Sequence, residues 1–356
     1  LILYAGNRQQ LTSRLLINYG IRFTNWQNRG EAYVVEYENY EPLGINHYTE
    51  GESYYQKTFA EPRLSLTYKT NTYSSVKLSY NRSVQNIHLI NNSISPFNTQ
   101  EVWLPSGPNI KPQLANMYNL GYVHSWHNRH IDFNADIYHK TLYNQIAYTN
   151  HADLVLNTYM EGEIRQGNGK AYGLELALAK TAGRFSWQFS YAYTRSMLQV
   201  DGINNNQAYK ARQDKPIEVS VSSAYFAKPR WLLSANYTIT SGIVTTSPTG
   251  FYNYRGSQVP IYAEQNNDRL PFYSRFDLAS DLRLNKNTDG PVEHHLIISF
   301  YNFFYKRNSA FLYFTKTVDS DGNYRTPTDK MNAKPLVSTH RYIFSIIPSF
   351  TYTLNF

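Results

Sequence analysis

Apolar and polar residues alternate with a period of two along most of this chain. In 184–196, RFSWQFSYAYTRS, Phe185, Trp187, Phe189, Tyr191 and Tyr193 fall on one side, against Ser186, Gln188, Ser190, Ala192 and Thr194 on the other. In 171–180, AYGLELALAK, Tyr172, Leu174, Leu176 and Leu178 oppose Gly173, Glu175 and Ala177. RLLINYGIRF (14–23) sets Leu15, Ile17, Tyr19, Ile21 and Phe23 on one face. SRFDLASDLRL (274–284) sets Phe276, Leu278, Leu282 and Leu284 against Arg275, Asp277, Asp281 and Arg283. Successive side chains of a strand point to opposite faces, so each segment has one apolar side and one wet side. The pattern predicts strands near 1–7, 13–27, 59–70, 72–87, 115–127, 130–148, 171–181, 184–197, 215–227, 230–242, 273–285, 292–318 and 339–356, and no helix.

The connections are lopsided. Short turns near 70–72, 127–130, 181–184, 227–230 and 285–291 alternate with long polar loops near 28–58, 88–113, 149–170, 198–213, 243–272 and 319–338. A β-sandwich distributes its loops more evenly. Short turns at one rim and long loops at the other are the habit of outer-membrane barrels, with the turns periplasmic and the loops extracellular. On that reading the last strand runs from outside to periplasm, and counting back, so does the first. An odd strand count leaves an unmatched edge, which lipid does not tolerate. The expectation is therefore a transmembrane antiparallel β-barrel of which this all-β chain supplies the C-terminal portion, as one partial domain over 1–356.

Composition changes the picture in one respect. The chain has 33 tyrosines and 16% aromatic residues, beside a mean hydropathy of −0.53. No apolar run approaches the ~20 residues of a membrane helix, and residues 1–30 lack the basic and apolar regions of a signal peptide. Rings near both ends of the apolar faces suit the two water–lipid interfaces. With no cysteine, disulfides and thiolate metal sites are excluded. The net charge of +8 is spread along the chain, which argues against nucleic acid.

GKAYGLEL (169–176) followed by KTAGRFSWQFSYAYTRS (180–196), ARQDKPIEVSVSSAY (211–225), RWLLSANYTITSG (230–242), RLPFYSRFDLAS (269–280), YNFFYKRNSAFLYF (301–314) and FSIIPSFTYTLNF (344–356) resemble the barrel of Bacteroidetes TonB-dependent outer-membrane receptors. EPRLSLTY (61–68) and NIHLINNSISPFNTQEVWLP (86–105) fit the same group, so the resemblance covers nearly the whole chain. It implies a 22-stranded barrel, of which about 13 strands are here, and nutrient import powered by TonB. It also implies an upstream plug and TonB box, neither of which this sequence contains. In ARQDKPIEVS the family more often has two basic residues and a His–Asp pair after the Asp; here Lys215, Pro216, Ile217 and Glu218 stand there, so no contact of that His carries over.

Candidate lumen or plug contacts are Arg22, Glu175, Arg275, Asp277, Asp281 and Arg283, with Arg14, Arg63, Lys77 and Glu218 on the same faces. A wet interior also needs such charges simply for solvation and cross-strand pairing. Trp103, Phe251, Tyr252, Tyr254 and Arg255 are candidates for contact with a ligand or a surface lipoprotein lid, since Tyr, Trp and Arg at exposed loop tips suit polar recognition. Ordinary loop packing would use the same residues. Phe350, Tyr352, Leu354 and Phe356 form the apolar row of the last strand and resemble the signal read by the barrel-assembly machinery. His127 and His130, and His294 and His295, lack the convergent third ligand a metal needs. No G-x-S-x-G, P-loop or H-E-x-x-H occurs, so neither enzyme activity nor a cofactor is expected. The partners expected are outer-membrane lipid and lipopolysaccharide, the plug and remaining strands, TonB and the assembly machinery. The leading reading is a TonB-dependent importer. The alternative is a barrel serving as scaffold in a complex with surface lipoproteins; a passive porin and a soluble adhesin fit less well.

Overall fold

The computed structural model describes residues 1–90, 102–149, 152–153, 156–255, 257–286, 291–316, 321 and 336–356. Its framework is a 14-stranded antiparallel sheet, thirteen strands in sequence order and the two-residue Tyr209–Lys210 paired with Met197 and Leu198 beside them, and the chain divides into two compact units. The first holds Leu1–Ala179, Ser190–Pro216 and Ile243–Arg269; the second holds Lys180–Phe189, Ile217–Gly242 and Leu270–Phe356.

In the first unit β1 (Ile2–Gln10), β2 (Leu15–Arg29), β3 (Ser53–Asn71), β4 (Ser74–Gln85), β5 (Gln113–Trp126), β6 (Ile131–Tyr148), β7 (Ile164–Lys180) and β8 (Phe185–Val200, which enters this unit at Ser190) follow one another in sequence order. Their register turns the alternation into continuous rows. Ile17, Leu66, Leu78, Leu120 and Ile137 lie side by side, flanked by Tyr19, Leu64, Tyr80, Tyr118 and His139 on one side and by Leu15, Tyr68, Val76, Tyr122 and Ala135 on the other. The opposite face carries Asn18, Ser65, Ser79, Asn119 and Tyr138. Every backbone group along these rows is paired while one face stays apolar, which is what a lipid-exposed wall requires.

That apolar face is not a buried core: Leu78, Leu120 and Ile137 are each at least half exposed. The buried apolar clusters lie instead in the long connections and strand ends. Leu104, Ile110 and Ile164 form one, with Ile146 and Met160 against it. Ala147, Val200, Ile203 and Tyr209 form another.

In the second unit β9 (Ile217–Lys228), β10 (Trp231–Thr240), β11 (Tyr273–Arg283), β12 (Glu293–Tyr301) and β13 (Ile347–Asn355) pair in sequence order. Phe350 opposes Ile298, Tyr352 opposes Leu296, and Leu278 opposes Phe300, again making an apolar face.

The strand pattern was legible, with three differences. The predicted strands 292–318 and 339–356 are each broken, into Glu293–Tyr301 and Phe311–Lys316, and into Leu336–Arg341 and Ile347–Asn355. At the first break Asn302 and Tyr305 adopt left-handed backbone (φ 54° and 55°), and the Asn302 side chain closes a turn onto Lys306 in place of the ladder. β3 and β7 begin six and seven residues earlier than their alternation does, because pairing continues past the apolar belt into polar sequence. The long loops also contain hairpins that periodicity did not reveal: Ala32–Glu38 with Glu41–Tyr48, Ile87–Ile90 with Val102–Pro105, and Gly250–Tyr254 with Ser257–Ile261; Phe311–Lys316 pairs with Leu336–Arg341 as a separate hairpin. The first turns on Asn39 and Tyr40, both left-handed, as a two-residue hairpin turn of the primed type demands. Residues 91–101 and 322–335 of the long loops and 287–290 of the last short turn lie outside the described residues.

Gly173, from the AYGLEL motif, sits where the polar face leaves no room for a side chain. A Cβ there would sit 2.7 Å from the Tyr138 hydroxyl and 2.5 Å from the Tyr193 carbonyl oxygen. The Tyr138 ring covers the bare backbone, and its hydroxyl shares a 3.0 Å hydrogen bond with Thr194.

The two faces predict opposite responses to charge. In the protein folded into lipid vesicles, Leu78→Arg on the apolar face should cost about 2–4 kcal/mol of urea stability, whereas Ser79→Arg on the other face should cost little. Equal losses would contradict the assigned faces.

Candidate functional site

The long connections of the first unit are fastened to one another by side chains that reach backbone groups. Ser106 is one anchor. Its carbonyl accepts from Asn28 Nδ2 at 2.7 Å and Trp26 Nε1 at 3.2 Å, its amide donates to the Asn86 carbonyl at 2.7 Å, and its hydroxyl meets His88 Nε2 at 2.9 Å. His88 is buried, and its Nδ1 has no partner among the described residues. Burial pushes this imidazole below its ordinary 6.5. Asn109 Nδ2 donates to the Val35 carbonyl at 2.9 Å and to Glu161 at 2.6 Å. Burial raises the Glu161 carboxyl above its usual range, only partly offset by Asn109. Burial likewise raises the Tyr209 phenol to about 12. Arg165 stacks over the Tyr40 ring at 3.5 Å.

A second anchor straps segment 243–269 onto 198–214. Asp214, from the ARQDKP motif, is fully buried; it accepts from the Ser196 amide at 2.7 Å, pairs with Arg269, and lies 3.7 Å from Arg195. The Asn204 side chain bonds both backbone groups of Gln265: its Nδ2 donates to the carbonyl at 2.9 Å and its Oδ1 accepts from the amide at 2.8 Å. Gln265 Nε2 donates to the Tyr148 carbonyl at 2.7 Å, and Asn266 Nδ2 donates to the Lys210 carbonyl at 2.9 Å. The strap carries at its tip the hairpin Gly250–Tyr254 with Ser257–Ile261.

Four of the five expected ligand contacts lie on that hairpin. Tyr252 and Tyr254 are exposed, and the Arg255 guanidinium lies 5.4 Å from the Tyr254 ring centre. Phe251 opposes Pro260 in the backbone ladder, and its side chain lies outside the described residues. Trp103 is exposed on a different hairpin, opposite Leu89.

Five of the ten expected wall charges, Arg22, Arg275, Asp277, Asp281 and Arg283, lie in ion pairs. Arg22 pairs with Glu61, a fully buried carboxylate that also accepts from Thr24 at 2.8 Å. In the second unit Arg275 meets Asp277 at 2.9 Å and lies over the Tyr301 ring at 4.6 Å. Asp281 meets His295 at 2.7 Å, and Arg283 meets Glu293 at 2.9 Å. Glu175, Arg14, Arg63, Lys77 and Glu218 are exposed and in no ion pair among the described residues. Phe350, Tyr352 and Leu354 share an exposed row with Phe356 just beyond it, and the Tyr352 hydroxyl meets His294 Nδ1 at 2.5 Å. His127 and His130 have ring centres 6.4 Å apart in the 127–130 turn. No group of three metal-ligating side chains occurs among the described residues.

Sequence reasoning missed Glu61, His88, Asp214 and Arg269. Alternation assigns a face but not burial, so nothing in it singled out Glu61. Asp214 was visible only as part of a quoted motif.

Residues 2–302 match the family described as TonB dependent receptor-like, beta-barrel. The chain belongs to the TonB-dependent receptor β-barrel family. This receptor barrel is thus an outer-membrane protein, and its fold resembles solved receptors at low identity. The ferric-catecholate import receptor Fiu of E. coli K12 in its closed form superposes with a TM-score of 0.59 at 15% identity, over 99% of this chain and 44% of that one. The ferric yersiniabactin uptake receptor FyuA of Yersinia pestis gives 0.60 at 13%, over 99% and 45%. The siderophore receptor PiuA of Acinetobacter baumannii gives 0.59 at 15%, over 99% and 42%. The chain therefore spans less than half the length of the receptors it resembles. No curated protein matches it.

Two outcomes follow from the anchors. Asp214→Ala leaves Arg269 and Arg195 facing an empty buried site, and losing one partner of such a group costs ~3–5 kcal/mol; limited proteolysis of the full-length receptor should then nick 243–269 far faster than in wild type. For His88 the fold holds the neutral ring, so its contribution is complete above pH 6.5 and is lost as pH falls toward the depressed value. Amide-exchange protection of Ser106, corrected for intrinsic rate, should weaken on acidification, and His88→Asn should abolish that pH dependence.

Proposed function

We propose that this chain is the C-terminal barrel portion of a TonB-dependent importer that takes a scarce nutrient across the outer membrane, with its long connections extracellular and its short turns periplasmic. The observation that carries the reading is the strap of 243–269. A segment tied down by Asp214, Gln265 and Asn266 presents exposed Tyr252, Tyr254 and Arg255 at its tip. Rigid rings beside a cation recognise polar ligands at low entropic cost. Trp103 is the further candidate contact. Family membership supports transport over enzymatic chemistry, and the solved receptors of similar fold are named for uptake of ferric chelates. The quoted motifs favour the Bacteroidetes branch.

On this reading the paired wall charges hold the barrel's own face in register. The exposed Glu175, with Arg63 and Lys77, is free to meet a plug that fills the lumen. TonB would act through that plug. Phe350, Tyr352, Leu354 and Phe356 would serve the barrel-assembly machinery, and a surface lipoprotein could close over the loops.

Uptake by cells carrying the full-length receptor should vanish when TonB is deleted; uptake that persists rejects the proposal. With the ligand in hand, a Tyr252→Ala/Tyr254→Ala/Arg255→Ala variant should bind at least tenfold more weakly while its barrel remains folded.

A further inference from the structure

The polar face of β1–β4 is dented where two glycines lie side by side. Gly6 of β1 opposes Gly20 of β2, and the next residue of that row, on β3, is Arg63. An open groove of about 530 Å³ lies over this bare backbone, within the range of small-molecule sites. A second cavity of about 410 Å³ shares Gly6, Gly20 and Arg63 with it. The floor has no room for a side chain. A Cβ on Gly20 would sit 2.9 Å from the Ala5 carbonyl oxygen and 3.1 Å from the hydroxyl of Tyr4, whose ring leans over both glycines.

Three cations and no carboxylate line the groove. Arg8 stands on β1, Arg63 on β3 and Lys77 on β4, all exposed and in no ion pair among the described residues. The acids of the same face are engaged or distant. Glu61 is fully buried against Arg22, and Asp136, two strands beyond Lys77 in its row, accepts from Asn119 at 3.2 Å. Ser65 lies among the cations in the same lining, and its hydroxyl is shut off from solvent with no partner among the described residues. A cleft lined by one sign of charge concentrates counter-ions.

The cations are also spread. Arg63, Arg8 and Lys77 occupy three successive rows of the face, and Arg8 and Arg63 are two strands apart, about 10 Å at ordinary strand spacing. A single anionic group meets one of them; a solute with several meets all three.

We propose that this groove binds a small polyanion, a polycarboxylate or a polyphosphate, with its anionic groups on Arg8, Arg63 and Lys77, its body over the Gly6–Gly20 floor and an acceptor toward the Ser65 hydroxyl. The solute is a partner in addition to the plug contact given to Arg63 and Lys77 above.

The test titrates full-length receptor in detergent micelles, without TonB, with citrate and with pyrophosphate at low salt, and reads binding by calorimetry. At least one probe should bind wild type saturably at a single site, and the tighter one names the source chemistry. Arg8→Ala/Arg63→Ala should weaken that binding at least tenfold, Lys77→Ala at least threefold, and Lys77→Arg should match wild type. The matching single-anion probe, acetate or inorganic phosphate, should bind at least tenfold more weakly. Arg129→Ala/Lys228→Ala removes two exposed cations elsewhere and should leave binding unchanged. Equal losses in the two double variants reduce the effect to overall charge and overturn the proposal. So does a wild type that binds neither probe, the result expected where an acidic plug segment already fills the groove. If the first double variant loses the heat-modifiable mobility of a folded barrel, the two Lys77 variants decide alone. Because binding is read at equilibrium without TonB, the importer reading can fail its own uptake assay without changing this result.

Discussion

A strand that crosses hydrocarbon cannot leave its peptide groups unpaired, because no water is there to bond them. That constraint explains why the wall of this receptor barrel is an antiparallel sheet whose neighbours follow sequence order. It explains equally why the sheet has no buried apolar core of its own. Leu78, Leu120 and Ile137 of its apolar row stay exposed in the structure because their counterpart is solvent of another kind. Burial in the ordinary sense is confined to the loops and strand ends, where Val200, Ile203 and Tyr209 cluster.

Once the wall is satisfied by backbone pairing, side chains are released for other work. On the wet faces they neutralise one another: Arg22 with Glu61, Arg275 with Asp277, Arg283 with Glu293. In the loops they replace the ladder that the strands no longer supply. Asn28, Asn109, Asn204, Gln265 and Asn308 each bond main-chain groups far away in sequence, so amide side chains hold the loops as peptide groups hold the wall. Asp214 is the charged version of the same device, taking a backbone amide and an arginine at one buried point.

This division of labour places chemistry on clamped segments rather than free ones. The strap bearing Tyr252 and Tyr254 is fixed at its base and exposed at its tip, and the groove bearing Arg8 and Arg63 is set in the paired wall. Rigid bases keep the ordering cost of binding low, and exposed rings supply contact area.

The sequence by itself determined the strand order, the two faces and the outer-membrane class, since a period of two with aromatic ends is a local property that any reader of the chain can count. It also located the exposed tip residues, because Tyr252, Tyr254 and Arg255 sit in a polar stretch between strands. Only the tertiary structure decided which charges are partners and which side chains are anchors. Glu61 and Glu175 read alike in the alternation, yet one is buried against Arg22 and the other lies open. His88 and Ser106, or Asp214 and Arg269, are brought together by loop closures that leave no periodic trace. The break at Asn302 was hidden for the same reason: a left-handed residue clamped by Asp277 is a fact about a neighbouring strand, not about the residues beside it in sequence.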